Sequence, residues 1–217
     1  MTSMRLLGLA FCLMFFGVLL PACPEAAPTI AKTTKMRPYT GIGMLLLPTL
    51  QENVAEQPEP LSLYEEPAIA RMGKLQWSRM PSNEWVFGVG RSTVPLIVTS
   101  KKGSWLRVIY DESGKEAWLK YPPKAKFQFW DSFLKGQSAS LLIGLQKKYY
   151  QTSQQLGGDA SGTLAGRQVF KVIKVDKDWA MVMLNKDTLT WLRWRDEDGR
   201  MLIGLEQTKI NSLTSQF

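Results

Sequence analysis

The segments Ser104-Trp-Leu-Arg-Val-Ile-Tyr110, Asp111-Glu-Ser-Gly114-Lys and Glu116-Ala-Trp118-Leu-Lys-Tyr121 decide the fold class. In the first, Leu106, Val108 and Tyr110 share one face of an extended chain, and Trp105, Arg107 and Ile109 share the other. That two-residue period belongs to a half-buried strand. The middle segment holds turn residues, with Gly114 supplying a positive φ. The last returns as a partner strand, so the whole reads as a β-hairpin.

The same texture extends in both directions. Leu61-Ser-Leu-Tyr64-Glu-Glu-Pro67 and Pro95-Leu-Ile-Val-Thr99 are strand-like, the latter closed by Lys101-Lys102-Gly103. A Gly-rich loop at Gly157, Gly158, Gly162 and Gly166 precedes Gln168–Val175, the turn Asp176–Asp178, Trp179–Leu184, the turn Asn185–Asp187 and Thr188–Trp194. Trp179 stands in for Trp105, Val182 for Val108 and Trp191 for Trp118, a weak internal repeat of about 65–75 residues. An extra hairpin, Trp194 to Ile203, follows. The expected fold class is mainly β, as two small barrels with Val108 and Val182 buried and Trp118 and Trp191 half-buried as caps. Lys126–Leu134 is expected as a short helix or strand packing between the units.

Tyr64 to Pro67, Gly103 to Val108 and Gly114 to Leu119 together resemble the bacterial SH3-like (SH3b) domain, and Trp179 to Val182 with Trp191 resemble it more weakly. The resemblance implies two SH3-like barrels, residues 61–122 and 147–217, joined by a linker at 123–146. It also implies non-catalytic binding of peptidoglycan, another wall polymer or an envelope protein. The chain departs from that pattern in the loop between Tyr64 and Trp105, which is long at about 40 residues.

The N-terminus is expected to be an export signal, residues 1–22. Leu6 to Leu20 is an apolar run of 15 residues, short of the ~20 that span a membrane and suited to a signal-peptide core. It ends in Leu20-Pro21-Ala22-Cys23, which resembles a bacterial lipobox and implies a palmitate-type lipid anchor on Cys23. An ordinary secretory signal cut near Ala22 or Ala27 is the alternative. Pro24 follows the cysteine, and without an Asp there the outer membrane is favoured over the inner one in a Gram-negative source. Residues 23–60 then read as a Pro-punctuated tether in the periplasm or outside the cell. Its apolar island, Ile42 to Leu47, is either a strand added to a sheet or a patch lying on the membrane.

Composition narrows the chemistry. The chain has 217 residues, a formal net charge of +8, no His, and two Cys, both within the first 23 positions. The folded part therefore lacks the commonest general base and any thiolate or Cys-based zinc site. Export makes wall carboxylates or anionic lipids better partners for the basic charge than nucleic acid. Asp111/Glu112 and Asp196/Glu197/Asp198 fall in turns where solvated carboxylates are ordinary, and Lys147/Lys148 read as solvated loop charges, so neither an enzyme nor a cofactor is expected. The ligand is expected at Tyr64, Trp77, Arg79, Trp85 and Trp105. Trp77 and Trp85 lie in the irregular loop beside Arg79 and Glu84, where they make either a stacking groove or a second small core.

Cys23→Ala should release the protein from the membrane fraction and abolish metabolic palmitate labelling. Retention of the variant, with an unlabelled wild type, would remove the anchor.

Overall fold

The chain from Met36 onward folds into one compact unit in the computed structural model, which describes residues 36–48, 59–88, 93–185 and 187–206. The signal-peptide segment, Cys23 and the tether residues 24–35 and 49–58 lie outside those ranges. The architecture is mainly β and antiparallel. Its strands are β1 (Gly43–Pro48), β2 (Leu61–Glu66), β3 (Ile69–Leu75), β4 (Thr93–Lys102), β5 (Trp105–Ile109), β6 (Glu116–Lys120), β7 (Lys126–Phe129), β8 (Ser138–Leu141), β9 (Gln151–Thr152), β10 (Gly162–Thr163), β11 (Phe170–Asp176), β12 (Trp179–Met183), β13 (Leu189–Arg193) and β14 (Ile203–Leu205). Short helices α1 (Glu84–Phe87) and α2 (Trp130–Leu134) and 3-10 turns at Trp77–Arg79 and Lys147–Tyr150 complete it. Sheet orders are β3-β2-β6-β5-β4-β1-β7 and β13-β12-β11-β8-β14, with β9 and β10 as a separate pair.

The quoted hairpin forms as its pattern requires. Leu106 and Val108 are buried and Arg107 is exposed. The turn is held by Asp111, whose Oδ1 accepts from the Lys115 amide at 2.8 Å, while Gly114 takes φ +86°. Val108 and Val182 are both fully buried. Trp118 and Trp191 go deeper than half-buried caps, at 7% and 8% exposure. Lys126–Leu134 is strand and then helix, β7 running into α2.

The two halves repeat each other pair by pair. Lys102, Lys101, Ser100 and Val98 face Trp105, Leu106, Arg107 and Val108. Asp176, Val175, Lys174 and Val172 face Trp179, Ala180, Met181 and Val182 with the same bulge one residue before the last pair. Across the next ladder Trp105 faces Lys120 and Arg107 faces Trp118, as Trp179 faces Arg193 and Met181 faces Trp191. Gly103 and Lys177, in the matching turns, are both left-handed, at +58° and +51°. The tight turn imposes φ > 0 on whichever residue occupies it, although a side chain makes that costly.

The repeat reaches further back than residue 61. Leu45 of β1 lies between Leu96 of β4 and Phe127 of β7, as Ala139 of β8 lies between Phe170 of β11 and Leu205 of β14. Tyr64 pairs with Trp118 as Ser153 bridges Trp191. The first repeat thus runs from β1 to β7 and the second from β8 to β14.

Residues 36–48, which read as tether, are therefore part of the fold, and the apolar island is a central strand. Its unbroken Met44-Leu-Leu-Leu47 comes from burial on two faces, which removes the alternation that would mark a strand. Leu45 and Leu47 join Leu96, Val98, Leu106 and Val108 in the first core. Met44 and Ile97, on the opposite face, join Phe87, Trp130, Phe170 and Trp194 in the second. The expected pair of separate barrels is corrected accordingly. Among the described residues neither sheet closes on itself, and the first sheet lends one face to the second repeat's core.

Asp196 also departs from expectation. It is 3% exposed rather than solvated in its turn. Its Oδ2 meets Arg37 Nη2 at 2.6 Å, and its Oδ1 accepts from the Arg200 amide at 2.8 Å. The Met201 amide donates to the Pro38 carbonyl at 3.0 Å, the Thr40 amide donates to Gly199 O at 2.8 Å, and Trp130 Nε1 donates to Thr40 O at 2.6 Å. Gly41 then turns into β1 at φ +58°, where a Cβ would run into the Val98 carbonyl.

A chain starting at Met36 should keep the full-length melting temperature, whereas one starting at Leu61 should fail to fold, because both cores lose β1. Arg37→Ala should destabilise by about 3 kcal/mol in urea unfolding, the scale for leaving the buried Asp196 carboxylate without its cation.

Candidate functional site

The second repeat carries a cleft of about 260 Å³ between the Lys147–Tyr150 turn, the start of β12 and the Trp194–Leu202 hairpin. Its working side chains are Lys148, Tyr149, Ser153, Trp179, Arg193 and Glu197. Strand pairing sets its floor, since Trp179 opens β12 directly opposite Arg193 on β13. The Arg193 guanidinium lies 5.1 Å from the Trp179 ring centroid, a cation–π contact that leaves both groups partly open. The space is slightly under the roughly 300–1,000 Å³ of sites for drug-sized ligands.

Glu197 organises the charges. Its Oε2 accepts from Tyr149 OH at 2.7 Å, and its Oε1 stands 3.3 Å from Lys148 Nζ and 3.6 Å from Arg193 Nη1. The Tyr149 hydroxyl first, its own backbone amide and then Lys148 hold the carboxyl down at about 2. Burial, followed by the neighbouring Glu197 carboxylate, pushes the Tyr149 phenol above its ordinary value. Lys148 Nζ also sits 4.7 Å from the Tyr149 ring centroid. Two cations thus surround one carboxylate that is ionised across the physiological range, and the rim keeps a net positive charge.

That arrangement suits binding. Glu197 is the one carboxylate among the residues lining this cleft, so the opposed acid and base of a glycosidase are not assembled in it. A carboxyl held near 2 is also a poor proton donor at neutral pH. Among the described residues no group of three or more His, Cys, Asp or Glu stands close enough to hold a metal ion.

The aromatic residues expected to form the site are placed apart. Tyr64 and Trp105 do meet, edge to face, with centroids 5.2 Å apart. Trp77 leaves β3 just past the Leu61–Leu75 pair and is half-buried against the first core, with Arg79 exposed on the same turn. Trp85, on α1, packs against the second core. The reason is topological: α1 contacts β14 of the second repeat, which draws Trp85 away from the first. Lys148 and Glu197 escaped the sequence reading because charged turn residues are ordinarily solvated.

No family model matches the sequence, and no curated protein matches it. Among solved structures it is similar to the endolysin LysPBC5 CBD at 12% identity, over 78% of this chain and 98% of that one, with a TM-score of 0.23.

Glu197 has a lowered folded-state pKa, so its contribution to stability is full above its unfolded value of roughly 4.3 and fades as pH falls toward 2. Glu197→Gln should lower the melting temperature slightly at pH 7. The gap from wild type should close between about pH 4.5 and 2, and a constant gap would show that the carboxylate is not so clamped.

Proposed function

We propose that the chain is a non-catalytic binding module of the bacterial cell envelope, lipid-anchored through Cys23, whose Trp179 cleft takes an anionic element of wall polymer. The observation that carries the reading is the cleft itself: a partly open Trp face with Lys148 and Arg193 beside it and a single clamped carboxylate. A sugar or peptide plane can lie on the indole while a carboxylate of the polymer turns toward the two cations. The formal +8 charge and the lipobox-like N-terminus support an anionic, extracytoplasmic ligand.

A structural subunit making only protein contacts is the competing reading. It is favoured by Ile69 and Met72, exposed on the edge strand β3 at 66% and 48%. An edge strand with apolar side chains is a surface that another chain can pair with.

Purified peptidoglycan should retain the wild-type protein, and Trp179→Ala should weaken retention by about 1–3 kcal/mol, or roughly 5- to 150-fold, at an unchanged melting temperature. Raising ionic strength should weaken it further, because the rim charges are exposed and screened. Equal retention of wild type and variant, with cross-linking to an envelope protein that requires Ile69 and Met72, would replace this reading with the subunit one.

A further inference from the structure

We infer that the chain carries one binding position twice and that a single side chain decides which copy is open: Tyr64 plugs the first, and Ser153 leaves the second free. This rests on the cleft reading above for the ligand, but not for the plug. The two positions are equivalent by hydrogen-bond register. Trp105 and Trp179 open matching strands and face Lys120 and Arg193 across the matching ladder. Tyr64 and Ser153 sit opposite the matching tryptophans Trp118 and Trp191.

What differs is the side chain aimed at the space. In the first repeat the Tyr64 ring stands nearly perpendicular to Trp105, at 86°, filling the volume beside the indole. In the second the same backbone position holds a hydroxymethyl group. Ser153 Oγ donates to the Gln155 carbonyl at 2.7 Å and accepts from the Gln155 amide at 3.2 Å. The space is left as the cleft, lined by both Ser153 and Trp179. An edge-to-face aromatic pair attracts beyond its buried area, so a phenol ring held there resists displacement.

The charges diverge in the same direction. Glu197 belongs to the Trp194–Leu202 hairpin, whereas the first repeat passes from β6 to β7 through the short turn at residues 121–125. The first copy therefore has the indole between Lys102 and Lys120 without the clamped carboxylate. It is a packed position, and the second is the working one.

The test has a ligand-free arm and a peptidoglycan arm, both on the full-length protein. Tyr64→Ser should raise the acrylamide-quenchable share of tryptophan fluorescence, and the rise should vanish when Trp105→Phe is added. Ser153→Tyr should lower that share, with no effect on a Trp179→Phe background. On purified peptidoglycan, Trp105→Leu should be retained like the wild type, while Trp179→Leu and Ser153→Tyr should be retained at least fivefold less. If Tyr64→Ser folds without a rise in quenching, the plug is overturned. If that variant unfolds, retention decides: a loss for Trp105→Leu matching that for Trp179→Leu overturns it. Altered quenching in both swaps with peptidoglycan retention unchanged throughout would keep the plug and sink the wall-polymer ligand instead.

Discussion

Burial of β1 and β4 on both faces is the constraint on which the rest of this structure depends. Leu45, Leu47, Leu96 and Val98 complete the first core, while Met44 and Ile97 reach through the sheet to the second. A strand with one wet face could be peeled from its neighbour at the expense of a single core. Here removal of β1 opens two. At roughly 25 cal/mol per Å² of apolar surface, the fully buried Met44, Leu45 and Leu47 each represent about 1.5–3 kcal/mol, a large part of a typical domain's net stability. Two repeats built to one register thereby behave as one compact body.

The segment before β1 is pinned by polar rather than apolar means. Arg37, Pro38 and Thr40 lie along the Asp196–Met201 hairpin through an ion pair and backbone hydrogen bonds. The exposed pairs elsewhere, such as Lys174–Asp176 at 3.8 Å, contribute little by comparison, since solvent screens them. Asp196 differs because it is buried, with Arg37 and the Arg200 amide against its two oxygens. The hairpin that receives the N-terminal segment also carries Glu197 into the cleft, so one insertion after β13 both fastens the chain and charges the site.

The proposed binding position arises where two like repeats diverge, through one side-chain difference and the hairpin added after β13. Register, bulge and left-handed turn are the same in both halves, because they follow from sheet geometry and tolerate many side chains. Lys177 occupies a turn conformation that Gly103 adopts freely, and the surrounding ladder absorbs the difference. A Tyr-to-Ser difference at one strand end then changes a packed corner into a cleft of about 260 Å³.

The sequence by itself determined the β class, the hairpins around Gly114 and Asp176–Asp178, and the buried Val108 and Val182. Each depends on alternation and turn chemistry acting over fewer than ten residues or so. It also contained the repeat, through Trp105, Val108 and Trp118 against Trp179, Val182 and Trp191. Only the tertiary structure decided where the first repeat begins, because a strand covered on both faces reads as a plain apolar run. Only it moved Asp196 from solvent to a buried ion pair with Arg37, 159 residues away in sequence. The cleft was hidden for the same reason. Lys148, Ser153, Trp179, Arg193 and Glu197 come from separate turns and strands, and what joins them is long-range strand pairing, which no local pattern in the chain encodes.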